Sequence, residues 1–350
     1  MTARRGLDPV TLSVLSSALS GIAEEMGTVL VRSAYSSNIK ERRDCSAALF
    51  DADGRMVAQA EHIPVHLGAM PEAVAAVIDR APEPGDVFVV NDPYSGGNHL
   101  PDVTMVSPLG TEDEPWGFAV TRSACFFALR VLLPDDIPAN AGTYAPLAIV
   151  APEGSLVNAH RPSAVVAGNV ETSQRLADTV MAALAQVAEL PAEGQGTMNN
   201  VNIGGRGWTY YETIGGGQGA SAHGPGPSGV HVGMSNTLNT PIEAFELEYP
   251  MRVERFELAA GSGGSGTHRG GDGIVRSIRV LEPATLSLLT DRRRHPPQGR
   301  RGGSPGALGR NECNGEELPP KISRPLDAGD VITITTPGGG GYGPPPGPLP

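Results

Sequence analysis

Aromatic residues are scarce, at 5% of the chain, and there are only three cysteines, Cys45, Cys125 and Cys313. An odd number of widely spaced cysteines gives no disulfide framework and no pair at metal-ligand spacing, which fits free thiols in a reducing compartment. Basic residues are outnumbered. The 26 Lys and Arg against 38 Asp and Glu leave a formal charge of -12 and a pI near 5.1. That balance argues against a nucleic-acid backbone as main partner, since such binding needs a basic face. No stretch approaches the ~18 consecutive apolar residues of a membrane span. The opening MTARRGLDPV has two arginines but no apolar run behind them to make a signal peptide. The expected location is the cytoplasm.

What is abundant is glycine, 46 residues, and proline, 32, in a chain of 350. About a fifth of the chain is therefore turn-forming, and many short elements joined by tight connections are expected. The length suits about two packed domains. Asp8 before Pro9 reads as a helix cap, followed by Leu12, Leu15, Leu19, Ile22, Met26 and Val29 at three-four spacing, one long amphipathic helix. CSAALFDADGRMVAQA reads as two strands around a hairpin at Asp53-Gly54. Pro71 can open a helix carrying Val74, Val77 and Ile78. VFVVN reads as a buried strand, with VTMVSPL and GFAVTR continuing its sheet. A second helix, with Asn169 as expected cap, places Leu176, Val180, Leu184 and Val187 along one face. From residue 194 a glycine-rich tract lacks apolar periodicity, and is either ordered by its neighbours or mobile. FELEYPMRVERFEL, GIVRSIRVL, ATLSLLTD and DVITITTPG then read as strands. The expected fold is α+β, with mixed sheets, a long N-terminal helix and a β-rich C-terminal part. Its expected division is an α+β domain at 1–122 with the candidate metal loop, a helical and loop segment at 123–193, a glycine-rich and β-rich domain at 194–340, and a disordered tail at 341–350.

The segment NDPYSGGNHLPD follows VFVVN directly and sets His99 and Asp102 three residues apart on a loop loosened by Gly96 and Gly97. One imidazole and one carboxylate make half a metal site for zinc, manganese or iron, which needs at least one more ligand. The alternative is a histidine that caps a turn. Upstream, His62 and His66 in EHIPVH are four apart. Pro64 disfavours a regular helix, but in an extended segment the even spacing still points both rings the same way. GSGGSG at 261–266 matches G-x-G-x-x-G, yet strand-like sequence lies on both sides, so a loop between strands is expected instead of a dinucleotide site. DRRRH at 291–295 can hold a carboxylate or phosphate through arginine forks, or serve as an ion-pair network within the fold. YETIGGGQG can form a backbone nest for an anion.

Taken together, DPVTLSVLSSALSGIAEEMGTVLVRSAYSSNIKERRDCSAALFD, NDPYSGGNHLPDVTMV, NVETSQRLADTVMAALAQ, GTMNNVNIGG, YYETIGGGQGA, NTLNTPIEAFELEYPMRVERFEL and LLTDRRRHPPQGRRGG resemble the hydantoinase B/5-oxoprolinase family, which includes the large subunits of acetone and acetophenone carboxylases. The resemblance implies a subunit of an ATP-dependent cyclic-amide hydrolase, with hydantoins or 5-oxoproline-like lactams as substrates. It would work with a hydantoinase A-type partner that binds ATP, as a cytoplasmic hetro-oligomer. It also implies a divalent metal, manganese or zinc, held by His99, Asp102 and a further histidine. His62 is the candidate for that third place, and His66, with His99 and Asp102, for a catalytic role. The alternatives within the same resemblance are a carboxylase subunit for a ketone-like substrate and a catalytically degenerate structural subunit. One departure stands out. Full-length members carry an arginine-alanine-histidine-histidine string soon after the metal loop, whereas Arg122 is here followed by SACFFALR, so Ala124 and Cys125 stand where the two histidines would be. The sequence jumps at about Thr121 or Arg122 across a missing middle.

Overall fold

The computed structural model describes residues 8–34, 37–51, 53–60, 66, 70–80, 86–92, 95, 104–107, 127–128, 130–134, 137, 140–146, 150–163 and 170–345. The chain forms two compact units, Met1–Val166 and Ala167–Pro350, and its mixture of helices with antiparallel sheets is the expected α+β class.

In the first unit, helix α1 (Pro9–Ser33) starts as its sequence predicts. The Asp8 carboxylate accepts from the amides of Val10 at 3.1 Å and Thr11 at 3.0 Å, with Pro9 at the first helical position. By length and composition α1 is apolar enough to cross a membrane, with a mean hydropathy of 1.3 over an 18-residue window. Its buried residues are the small Ala23 and Gly27, while Leu12, Leu15, Ile22, Met26 and Val29 of the apolar stripe are exposed. A single turn, α2 (Ser37–Lys40), leads to the hairpin of β1 (Ala47–Phe50) and β2 (Met56–Ala60), on which α1 packs. Gly54 takes the positive φ of +73° that the tight turn requires. Helix α3 (Met70–Ile78) buries Ala73 and Val77. The short strands β3 (Phe88–Val90) and β4 (Thr104–Val106) pair antiparallel, with Val89 opposite Met105. One turn of helix, α4 (Ala141–Tyr144), is capped by Asn140, whose side chain accepts from the Thr143 amide at 3.2 Å.

The second unit opens with α5 (Glu171–Leu184) and continues through β5 (Asn200–Gly205), β6 (Trp208–Glu212), α6 (Ile242–Glu248), β7 (Met251–Ala259), β8 (Gly273–Val280), β9 (Ala284–Leu289), β10 (Arg310–Cys313), β11 (Glu316–Glu317), β12 (Lys321–Leu326) and β13 (Val331–Thr335). The strands form a five-stranded sheet, β11-β10-β13-β8-β7, and a four-stranded sheet, β12-β9-β5-β6. Alternate residues of both sheets, among them Val201, Ile203, Leu286, Leu288, Ile278 and Ile332, meet in one buried core, the arrangement of a β-sandwich.

Several expectations need correction. FELEY reads as strand by its alternation, but it is helical: Phe245 in α6 is fully buried against Tyr210, ring centroids 4.7 Å apart, while Leu247 points to solvent. Helix α5 is capped at Val170 without a side-chain bond, and Asn169 lies outside the described residues. The fully buried residues of α5 are Glu171, Ser173, Gln174 and Ala177, whereas Leu176, Val180 and Leu184 of the expected face are half-buried and Val187, beyond the end of the helix, is exposed. Residues 341–345, assigned to the tail by composition, belong to the folded unit. Tyr342 is buried and exchanges two backbone hydrogen bonds with His268, each 2.9 Å.

The glycine tracts are ordered by one another. Gly338 donates to Ala307, Gly339 to Gly271, Gly340 to Glu193 and Gly341 to Ser304, so successive amides point to different neighbours and return to the same segment after three residues. That period is the one of a polyproline-II-type helix, which has no internal hydrogen bonds. A Cβ on Gly339 would stand 2.0 Å from the Gln218 carbonyl oxygen, and one on Gly340 2.2 Å from that of Gln298. Glycine is required there by close backbone approach.

Candidate functional site

Two segments carry the candidate chemistry, one in each unit. In the first, β3 delivers the chain to Asn91 and Asp92, and β4 takes it back at Thr104, so the segment with His99 and Asp102 connects two paired strands. The start of this connection is anchored. The Asp92 side chain accepts from the Ser95 hydroxyl at 2.9 Å and forms an ion pair with Arg161, and the Ser95 amide donates to the Asp92 carbonyl at 2.9 Å. His99, Asp102 and His62 themselves lie outside the described residues. His66 is described: its Nδ1 stands 2.9 Å from the Ser46 hydroxyl just before β1. With Nδ1 committed, His66 could reach a metal only through Nε2, the arrangement in which a partner fixes the ring of a ligand histidine. Among the described residues no three His, Cys, Asp or Glu side chains are placed to hold a metal ion. Two imidazoles and a carboxylate are, as a donor set, suited to zinc or manganese.

The second place is a buried polar centre that periodicity does not reveal. It is built where the first turn of α5 meets the tract before β5 and the turn after β9. One oxygen of Glu171, Oε1, accepts from the Thr197 hydroxyl at 3.1 Å, the Met198 amide at 3.0 Å and Asn200 Nδ2 at 2.9 Å. The other, Oε2, is buried with no hydrogen-bond partner. Burial pushes the Glu171 carboxyl up to about 8, helped by the charge of Asp291 and opposed by the Thr197 and Met198 bonds and Arg293. Tyr211 donates to Asn200 Oδ1 at 2.6 Å. Arg293 reaches Asn199 Oδ1 at 2.7 Å and Asn311 Oδ1 at 2.6 Å, and its own burial lowers it to about 10. Arg292 binds Asp178 at 2.5 Å and Glu193 at 2.8 Å.

The DRRRH motif is thus the internal network, with Arg292 and Arg293 both committed to partners within the fold. Within YETIGGGQG the amides of Gly216, Gly217 and Gln218 are likewise committed, donating to the carbonyls of Val230, Pro337 and Pro227, so these three form no anion nest. GSGGSG lies between β7 and β8, as its flanks imply. Nearby, His231 stands 3.1 Å from Ser235 Oγ through Nδ1 and 3.2 Å from Thr237 Oγ1 through Nε2.

The profile of the hydantoinase B/oxoprolinase family matches residues 8–123 and 116–345. The chain belongs to this family. It is 31% identical to an uncharacterized protein of Methanocaldococcus jannaschii, over 97% of this chain and 91% of that one. It is 30% identical to 5-oxoprolinase 1 of Arabidopsis thaliana over 96% of its length, and spans only 42% of that relative. In fold it is similar to the crystal structure of ATP-dependent caprolactamase from Pseudomonas jessenii, with a TM-score of 0.79 at 19% identity, covering 97% of this chain and 92% of the other. The alignment with the Methanocaldococcus protein runs to 513 positions against a chain of 350, so at least 163 of them face a gap in this chain. The two stretches matched by the family meet at 116–123, where the sequence departs from the family strings.

Proposed function

We propose that this chain is a subunit of an ATP-dependent hydrolase of cyclic amides, of the hydantoin and 5-oxoproline type, acting with a hydantoinase A-type subunit that binds and uses ATP. The observation that carries this reading is the family match, which extends over both units from residue 8 to residue 345. The likeness to 5-oxoprolinase supports the substrate class. His99 and Asp102 are the proposed metal ligands with His62 as third, and His66, held by Ser46, is the proposed group for proton transfer. A divalent metal bound there supplies polarisation of a carbonyl or activation of water. The anchoring of Asp92 by Ser95 and Arg161 suits a loop that must hold its ligands in place.

The test is co-expression with a hydantoinase A-type subunit, followed by ATP hydrolysis measured with hydantoins, lactams and ketones. Stimulation by a cyclic amide, with a stoichiometric metal that His99→Ala removes, is the expected result. An active complex free of metal would overturn the metal assignment. ATP hydrolysis that depends on bicarbonate and a ketone would replace the hydrolase by a carboxylase.

A further inference from the structure

Strand β7 is one edge of the five-stranded sheet and, among the described residues, pairs with β8 alone. The bonds of β8 show which backbone groups of β7 point off that edge. Ile274 bonds through its amide and carbonyl to Thr336, and Val280 to Asp330 and Gly329, all on the side away from β7. Backbone direction alternates along a strand, so Arg276 and Ile278 point the same way. Their partners across the ladder, Leu258, Phe256, Val253 and Met251, therefore turn their amides and carbonyls outward. Two of these amides are satisfied locally, Val253 by Glu246 Oε1 at 2.8 Å and Met251 by the Tyr249 carbonyl at 2.7 Å. The outward amides of Phe256 and Leu258 find no acceptor among the described residues. An edge of this kind is a template for another strand.

The charges of β7 identify that strand. They run Arg252, Glu254, Arg255, Glu257, a pattern complementary to its own reverse. Antiparallel to a second β7 about a two-fold axis between Glu254 and Arg255, Arg252 lies opposite Glu257 and Glu254 opposite Arg255, on both sides of the axis. The same register sets Val253 opposite Phe256 and Met251 opposite Leu258. The unsatisfied amides of Phe256 and Leu258 then face the outward carbonyls of Val253 and Met251 in the other copy. Slipping by two residues opposes Arg252 to Arg255 in one direction and Glu254 to Glu257 in the other, which like charges disfavour. Within the chain Arg255 pairs with Glu257, and Glu254 with Arg279, yet Glu254, Arg255 and Glu257 remain 34% to 55% exposed and open to a second partner. Pairing would also cover Phe256 and Leu258, 39% and 52% exposed. We infer that β7 is a homodimer interface, which joins the five-stranded sheets of two copies edge to edge.

The test uses the full chain and needs no turnover, so it is independent of the proposed reaction. Sedimentation equilibrium up to about 100 μM is expected to show a concentration-dependent dimer. Amide exchange at Phe256 and Leu258 should slow as the concentration rises. Arg252→Glu and Glu257→Arg should each weaken the dimer by about tenfold, because each sets two like-charge pairs across the axis. Combining the two restores opposite charges and should return the dissociation constant to within about threefold of the original. Exchange in the unsubstituted chain decides the question even if a variant is poorly folded. A chain that stays monomeric, a dimer that leaves the Phe256 and Leu258 amides unprotected, single variants that dimerise as tightly as the original, or a double variant no tighter than the single ones would each overturn the proposal. Protection of the two amides only when a hydantoinase A-type subunit is added would give the edge to that partner instead.

Discussion

Arg276 Nε donates to Glu212 Oε2 at 2.8 Å from one sheet of the sandwich to the other, with the two side chains 1% and 0% exposed. Arg276 occupies a position in β8 between the core residues Ile274 and Ile278, on the same face. Its guanidinium lies 4.8 Å from the ring centroid of Phe256 and 5.6 Å from that of Phe245, which compensates part of its lost hydration. Removing one partner leaves a buried charge unpaired. Arg276→Met alone is therefore expected to cost about 3–5 kcal/mol, whereas Arg276→Met with Glu212→Leu should recover most of that loss. Urea denaturation of the single and double variants checks it, and a double variant no better than the single one would refute the pairing as the source.

Glu171 makes stability depend on pH in the direction opposite to an ordinary salt-bridged carboxylate. Its folded value of about 8 lies above the usual carboxylate range because burial disfavours the charge. The folded state thus holds a proton that the unfolded state has released. The associated stability is fully present below about pH 4.5 and is lost as pH rises through 8, at a slope of up to about 1.4 kcal/mol per unit. Glu171→Gln, which keeps an acceptor for Thr197, Met198 and Asn200, should flatten this part of the profile. Unfolding of the second unit at pH 5, 7 and 9, followed by amide exchange, measures the slope, and equal slopes in the two proteins would contradict the assignment.

The glycine bundle should tolerate no side chain at its centre. Gly339→Ala places a Cβ 2.0 Å from the Gln218 carbonyl oxygen, and the backbones must separate, at an expected cost of about 3 kcal/mol or more. Gly21 in α1 has nothing within 4 Å of its absent Cβ. There the change to alanine should stabilise the helix by about 1 kcal/mol, because glycine is a poor helix former. Thermal unfolding of the two variants side by side distinguishes close approach from backbone entropy.

Removal of the proposed metal should be selective. Chelation of the complex, or His99→Ala, is expected to abolish amide-dependent ATP hydrolysis while leaving the second unit folded, since the partners of Glu171, Arg292 and Arg293 named above all belong to the second unit itself. Ser46→Ala removes the bond to His66 Nδ1 and should lower turnover or metal affinity by about 10-fold if His66 serves that site. Metal content and turnover are to be read together. No effect on either would remove His66 from the site.

Local signals determined much of this protein. The Asp8-Pro9 start of α1, the hairpin at Gly54, the helix opened near Pro71 and the existence of a strand before the candidate loop are set by caps, turn residues and β-branched runs, which act within a few residues, but the burial expected of that strand is not found, since Val87 and Val89 are exposed. The family strings carried the assignment to hydantoinase B/oxoprolinase. Other features were decided only in three dimensions. The buried face of α5 carries Glu171 and Gln174 because Thr197, Met198 and Asn200 donate to one oxygen of the first, which burial favours in its protonated form, and the Val232 carbonyl and Met234 amide satisfy the second. Nothing near them in the chain shows that those partners will be there. The same holds for Arg276, a charged residue at a core position whose partner comes from another sheet, and for the glycine tracts, which have no apolar period and are ordered by backbone bonds between distant segments. A sequence displays the preferences of each segment. Only the tertiary structure brings together the partners that make a buried charge or a side-chain-free backbone stable.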